Sequence, residues 1–202
     1  MFFLLTFILL YLPIKFFMPT KVIGKKNLPK NKQTGYILCA NHYSNFDVIL
    51  LDINLGKKIN YLAKKELFKN KFFGGALTKL GAIKIDRENA DVVAFKNAMN
   101  VLKNNKPLGI FPEGTRNKNL NATNMNETKD GAVIFAGKSG VPIIPTAIAK
   151  RPKFFSRNKI IIGDPFYVEA VNPKKMTKEE IAANSQKLAE IINTLHLQIL
   201  SK

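Results

Sequence analysis

Four short, largely apolar runs, at residues 36–40, 59–63, 82–85 and 108–111, alternate with stretches of helical periodicity, and each run ends on polar or charged residues. Runs this short, bounded by turn residues, read as buried strands rather than helices. Strands alternating with helices predict an α/β fold whose functional groups collect at the strand C-termini. The expected architecture is a single domain over residues 21–202, with a mixed central sheet flanked by helices. An N-terminal apolar membrane-associating helix, residues 1–20, precedes it. A chain of 202 residues is long enough for one full core.

The first run leads directly into Asn41-His42-Tyr43-Ser44-Asn45-Phe46-Asp47. Ser44-x-x-Asp47 followed by Val48, Ile49, Leu50 and Leu51 reads as a capping-box-like helix start, and Gly56 stops that helix after about Leu55. Inside one regular helix, His42 and Asp47 would stand roughly 140° apart and would not touch. With His42 in the turn and Asp47 in the first helical turn, the carboxylate can reach the imidazole and orient it as a general base. The same residues also fit a plainer arrangement, in which Asp47 accepts backbone N–H groups and His42 is an ordinary loop residue. Cys39, the single cysteine, lies within the apolar run and reads as a small buried hydrophobe rather than a thiol partner for His42. One cysteine allows neither an internal disulfide nor a multi-cysteine metal site.

Along the rest of the chain, the run at 59–63 ends in Lys64-Lys65-Glu66, and the run at 82–85 ends in Asp86-Arg87. Residues 72–80 read as a short helix. Residues 89–104 read as an amphipathic helix with Val92, Phe95, Met99 and Leu102 toward the core. The run at 108–111 enters Pro112-Glu113-Gly114-Thr115-Arg116, and the asparagine-rich stretch 117–126 reads as a flap. A helix over 129–138 precedes a strand with Pro142 and Pro145, which places the prolines at a strand start, bulge or edge. Thr177-x-x-Glu180 caps a final helix whose core face is Ile181, Leu188, Ile191, Leu195 and Ile199, with His196 on the surface.

Residues 1–14 carry no charge, and Pro13 and Lys15 interrupt an apolar stretch of marginal spanning length. It is read as a helix in the interface, a short span, or a helix packed on the domain. Lys15, Lys21, Lys25 and Lys26 place the body on the cytoplasmic side if it spans. The net charge of +18 predicts anionic partners. Arginine occurs only at positions 87, 116, 151 and 157, which argues against a sequence-specific nucleic-acid reader and for an anionic lipid membrane.

Three strand ends thus present His42 with Asp47, Asp86 with Arg87, and Glu113 with Arg116, and Lys64 ends a fourth strand. A base, an acid that orients it and several cations suit transfer onto a hydroxyl of a phosphorylated substrate. Each charged pair alone is also compatible with a surface ion pair.

In four ordered blocks the sequence resembles the 1-acylglycerol-3-phosphate acyltransferases of the glycerolipid acyltransferase superfamily. The blocks are Asn41-His42-x4-Asp47, Gly81-x3-Ile85-Asp86-Arg87, Phe111-Pro112-Glu113-Gly114-Thr115-Arg116 and Val141-Pro142-Ile143-Ile144-Pro145. The resemblance implies a membrane-associated enzyme, with its site on the cytoplasmic side, that acylates lysophosphatidic acid to phosphatidic acid. It implies that His42 is the base and Asp47 its orienting acid, and that Lys64, Arg87, Glu113, Gly114, Thr115 and Arg116 bind the acceptor. Val141, Pro142, Ile143, Ile144 and Pro145 match the block linked to the acyl-chain site. Acyl-CoA or acyl-acyl carrier protein would be the donor, with no metal and no bound cofactor. Tyr43, Lys84 and Thr146 depart from the residues common in the family and bear on specificity.

Two readings from other classes compete. Gly137-Lys138-Ser139 looks like the end of a phosphate loop, but the position that needs the first Gly holds Ala132, with Gly131 out of register, and no helix follows. A non-catalytic basic membrane-surface protein explains the composition but not the ordered blocks. Within the superfamily, glycerol 3-phosphate, another lysophospholipid or an ornithine lipid is an alternative acceptor.

Overall fold

Every residue of Tyr36–Ala40 is buried, and the reason is its place in the sheet. In the computed structural model, which describes residues 2–30, 34–86, 89, 91–117 and 129–201, this segment is strand β2 at the middle of a seven-stranded sheet. Tyr36, Leu38 and Ala40 pack against Leu50, Leu51 and Leu55 of helix α2 (Phe46–Leu55) on one face. Ile37 and Cys39 face the other layer, built from α4 (Val92–Lys103), α5 (Gly131–Ser139) and α6 (Lys178–Leu200). A strand covered on both sides has no polar face to alternate, so its sequence is a continuous apolar run. Burial holds the Cys39 thiol well above its usual range, as expected for a packing residue.

The remaining strands are β1 (Thr20–Ile23), β3 (Asn60–Lys64), β4 (Ile83–Ile85), β5 (Pro107–Ile110), β6 (Ile143–Ile148) and β7 (Asn158–Ile162), and helix α3 (Lys71–Leu80) lies between β3 and β4 in the chain. Their order is β1-β7-β6-β2-β5-β3-β4. β6, β2, β5, β3 and β4 are mutually parallel, whereas β7 runs antiparallel to β6 and carries β1 parallel to itself. The mixed sheet flanked by helices agrees with the expected α/β class. The chain leaves β2 toward the α2 face, while β5 leads to α5 on the opposite face. Neighbouring parallel strands that diverge in this way open a crevice at their C-terminal ends.

Three expectations are corrected. On α4 the buried residues are Ala94, Ala98 and Leu102, while Val92 is exposed. The small alanines let the helix approach the sheet, and Phe95 and Met99 fill the flanks of that contact. Pro145 sits inside an interior strand rather than at an edge. Its carbonyl accepts from Gly163 N at 2.8 Å, so its backbone faces β7 one residue beyond Ile162, where the reciprocal bond that proline cannot donate would only have extended the end of the ladder. His196 is buried on α6, for a reason given by the site.

Helix α1 (Phe2–Phe17) packs by its C-terminal end. Ile14 and Met18 bury against Ile53, and Lys15 Nζ donates to the buried Asn54 Oδ1 at 2.7 Å. Leu9, Leu12 and Phe16 remain exposed. Among the described residues, no helix is long and apolar enough to cross a membrane.

Candidate active site

β2 ends at Ala40, and the side chain of Asn41 takes over its pairing. Asn41 Nδ2 donates to Ile148 O at 3.0 Å and Oδ1 accepts from Ile148 N at 2.8 Å, imitating one more residue of the β2–β6 ladder. The chain can therefore turn at His42 while staying fastened to the sheet. Asp47 then folds back from the first turn of α2. Its Oδ2 accepts from Tyr43 N and Ser44 N, both at 2.7 Å, and lies 2.8 Å from His42 Nδ1. One carboxylate oxygen therefore both closes the turn before α2 and meets the imidazole. The capping is reciprocal but shortened, because Ser44 Oγ accepts from Phe46 N two residues on.

Asp47 is fully buried and His42 is 15% exposed. With Nδ1–H committed to the carboxylate, Nε2 is the nitrogen left to face a substrate. Three further contacts hold the histidine. Its N–H donates to Glu113 Oε1 at 3.1 Å, its carbonyl accepts from Asn117 N at 2.7 Å, and its ring stacks on Phe111 at 3.9 Å between centroids. Phe111 in turn stacks on Tyr61 at 5.7 Å. Gly109 makes room for this column, because a Cβ there would overlap the Tyr61 ring. Behind it, Tyr61 Oη donates to Asp52 Oδ1 at 3.3 Å. Desolvation pushes the Asp52 carboxyl up to about 8.

Glu113 is buried and engages the His42 backbone, which is not the behaviour of a surface ion-pair partner. Gly114 takes φ 66°, and Thr115 and Arg116 follow it as exposed residues. Lys64 ends β3, exposed, 3.8 Å from Glu66. Asp86 pairs with Lys65 at 2.8 Å. Arg87 lies outside the described residues, as does the stretch 118–128 that contains most of the expected flap. Asn117, expected in that flap, is instead buried and tied to His42. Pro142, Ile143, Ile144 and Pro145 are buried, Ile143 and Ile144 filling the core on opposite faces of the sheet, with Val141 at its margin.

Sequence reasoning missed several contributors. Lys129 donates its N–H to Pro112 O at 2.7 Å and lays its side chain across Gly114, adding a cation to the loop that carries Glu113 and Arg116. Tyr43 Oη lies 2.9 Å from His196 Nε2, which is 3.1 Å from Ala149 O. That pairing explains why His196 is buried and couples α6 to the loop that carries His42. We expect Tyr43→Phe to cost about 1 kcal/mol, a fall in Tm of roughly 2–4 °C. His196→Ala should cost more, and thermal unfolding of the two single variants and the double variant measures the coupling. A cavity of about 490 Å³ between Gly24, Asn27, Asp164 and Leu195 opens at the other end of the sheet and contains none of these groups.

A family model described as Acyltransferase matches residues 19–149. The chain is 35% identical over 181 residues to the 1-acyl-sn-glycerol-3-phosphate acyltransferase of Bacillus subtilis (strain 168), covering 87% of each chain. It is 30% identical over 186 residues to the Saccharomyces cerevisiae protein of the same name, covering 87% of this chain and 59% of that one. The crystal structure of the 1-acyl-sn-glycerophosphate (LPA) acyltransferase PlsC from Thermotoga maritima matches with a TM-score of 0.68 at 26% identity, over 92% of this chain and 73% of that one. A match running from β1 past the end of β6, and so across every strand end that borders His42, places this chain in the acyltransferase family.

Proposed function

We propose that the chain transfers a fatty acyl group from a thioester donor to the free hydroxyl of 1-acylglycerol 3-phosphate, giving phosphatidic acid. The observation that carries this reading is the 2.8 Å contact between His42 Nδ1 and buried Asp47 Oδ2, at the crevice where β2 and β5 diverge. The shared name of the relatives supports the acceptor. His42 Nε2 takes the hydroxyl proton as the oxygen attacks the thioester carbonyl carbon. Asp47 stabilises the imidazolium that forms. The tetrahedral centre collapses with cleavage of the C–S bond, and the imidazolium returns its proton to the departing sulfur. The reaction so written uses two substrates and side chains, with neither metal nor resident cofactor.

Lys64, Arg116 and Lys129 are the described cations assigned to the acceptor phosphate, Arg87 joining them on sequence grounds. Glu113, Gly114 and Thr115 shape the loop that presents Arg116. The segment from Val141 to Pro145 is assigned to the acyl-chain site on sequence grounds, Ile143 and Ile144 supporting it from within the core. Helix α1, with Leu9, Leu12 and Phe16 exposed near its packed end, lies in the bilayer interface and brings the site to a substrate that resides there, on the cytoplasmic side.

The test is thioester consumption by purified protein in liposomes, with acyl-CoA and acyl-acyl carrier protein as donors. Lysophosphatidic acid, glycerol 3-phosphate and neutral lysophospholipids are compared as acceptors. Turnover with lysophosphatidic acid above the others is expected. Preference for another acceptor would replace the substrate while keeping the chemistry, and no transfer from either donor would overturn the reading.

A further inference from the structure

The connection between β6 and β7 carries Lys150, Arg151, Lys153 and Arg157 and no acidic residue. Between these exposed cations, Phe154 is 60% and Phe155 80% exposed. Two adjacent phenylalanines in water are unfavourable unless something covers them.

The loop is built to hold them out. Asn158 Nδ2 donates to Lys150 O at 2.9 Å and closes its base, and Pro152 is buried beneath it. Phe155 adopts φ 58°, a left-handed conformation that is strained for a bulky side chain. Its N–H donates to Phe17 O at 2.6 Å, which fastens the loop to the end of α1.

The aromatic surface is continuous. The Phe17 ring meets Phe154 at 6.3 Å and Phe155 at 5.1 Å, Phe16 meets Phe17 at 5.0 Å, and Phe46 meets Phe154 at 6.3 Å. Phe46 precedes Asp47, so the patch runs to the mouth of the candidate site.

We propose that the β6–β7 loop is a second bilayer contact, which seats this mouth on an anionic lipid surface together with the end of α1. Phe154 and Phe155 enter the boundary between headgroups and acyl chains, and Lys150, Arg151, Lys153 and Arg157 meet the lipid phosphates. An acidic protein would satisfy the cations but gives no reason for a rigid pair of exposed phenylalanines continuous with Leu12 and Phe16 of α1. The proposal rests on the functional reading only in supposing that the docked surface also holds the acceptor.

The experiment uses the full chain in cosedimentation with phosphatidylcholine vesicles, with and without phosphatidylglycerol. The variants are F154S/F155N, the asparagine accepting the left-handed backbone, and K153Q/R157Q. The aromatic variant should bind vesicles containing phosphatidylglycerol at least about tenfold more weakly. The charge variant should lose roughly 30-fold on those vesicles and little on phosphatidylcholine alone. With a short-chain water-soluble acceptor, both variants should retain wild-type turnover, while turnover on a vesicle-borne acceptor falls. Wild-type vesicle binding by both variants, with unchanged thermal unfolding, would overturn the proposal, as would loss confined to binding of an acidic carrier protein. Weakened vesicle binding without transfer to any acceptor would uphold the docking loop and remove the functional reading instead.

Discussion

Replacing His42 with alanine is expected to lower kcat by about two to four orders of magnitude, with little change in KM for the acceptor. The imidazole is assigned the only proton transfer that activates the hydroxyl, and a positioned general base contributes roughly 10²–10⁴. Phosphate recognition is assigned to other strand ends, at Lys64, Arg87 and Arg116, so binding should survive. The fold should survive as well, because the backbone contacts of His42 to Glu113 Oε1 and Asn117 N, and those of Asp47 to Tyr43 N and Ser44 N, remain when the ring is removed. Steady-state thioester consumption and thermal unfolding on the same preparation check both statements. A variant within tenfold of wild type would remove His42 from the chemistry.

Asp47 allows a sharper separation, because one oxygen serves both fold and site. In Asp47→Asn the amide oxygen can still accept from Tyr43 N, Ser44 N and His42 Nδ1, while the negative charge is lost. We expect kcat to fall about two to four orders of magnitude and stability to change little. In Asp47→Ala, the buried N–H groups of Tyr43 and Ser44 lose their acceptor, at about 1–3 kcal/mol each. A loss near 3 kcal/mol would lower Tm by roughly 6–12 °C. Equal activity losses with unequal stabilities would show that the carboxylate charge acts in catalysis beyond its capping role. Full activity in the asparagine variant would reduce Asp47 to a helix cap.

The exposed aromatics change how the basic composition is understood. A charge of +18 spread over a surface attracts anionic lipid without orienting the molecule. Phenylalanines held by an α1 carbonyl and by one another add direction, because only one face can bury them. That face borders Asp47 through Phe46. Electrostatic attraction and orientation are thus separate properties, carried by different residues of the same loop.

The local part of this protein was readable from its residues. An all-apolar run such as 36–40 is what a strand covered on both faces requires, so β2 and its neighbours could be placed, along with the helix after His42. The encounter of His42 with Asp47 was readable too, since five residues across a strand-to-helix turn leave few other ways to satisfy a carboxylate at the helix start. The capping box at Thr177 and Glu180 is equally local, and both of its bonds form. What the chain order concealed depends on partners far away. Asn41 is fastened to Ile148, 107 residues on, and His196 reaches Tyr43 across 153. Periodicity assigned His196 to the surface because polar residues usually face water, and only the Tyr43 hydroxyl and the Ala149 carbonyl make its burial tolerable. Pro145 is tolerated in an interior strand because its missing N–H falls at the end of the β6–β7 ladder, one residue beyond Ile162. Likewise, the phenylalanines at 154 and 155 look like an ordinary connection until β7 and β1 pair and bring them onto the end of α1. Hydrogen-bonding need and apolar burial act on neighbours in the chain and are legible there. Strand order decides which distant groups become neighbours, and no single stretch of sequence contains it.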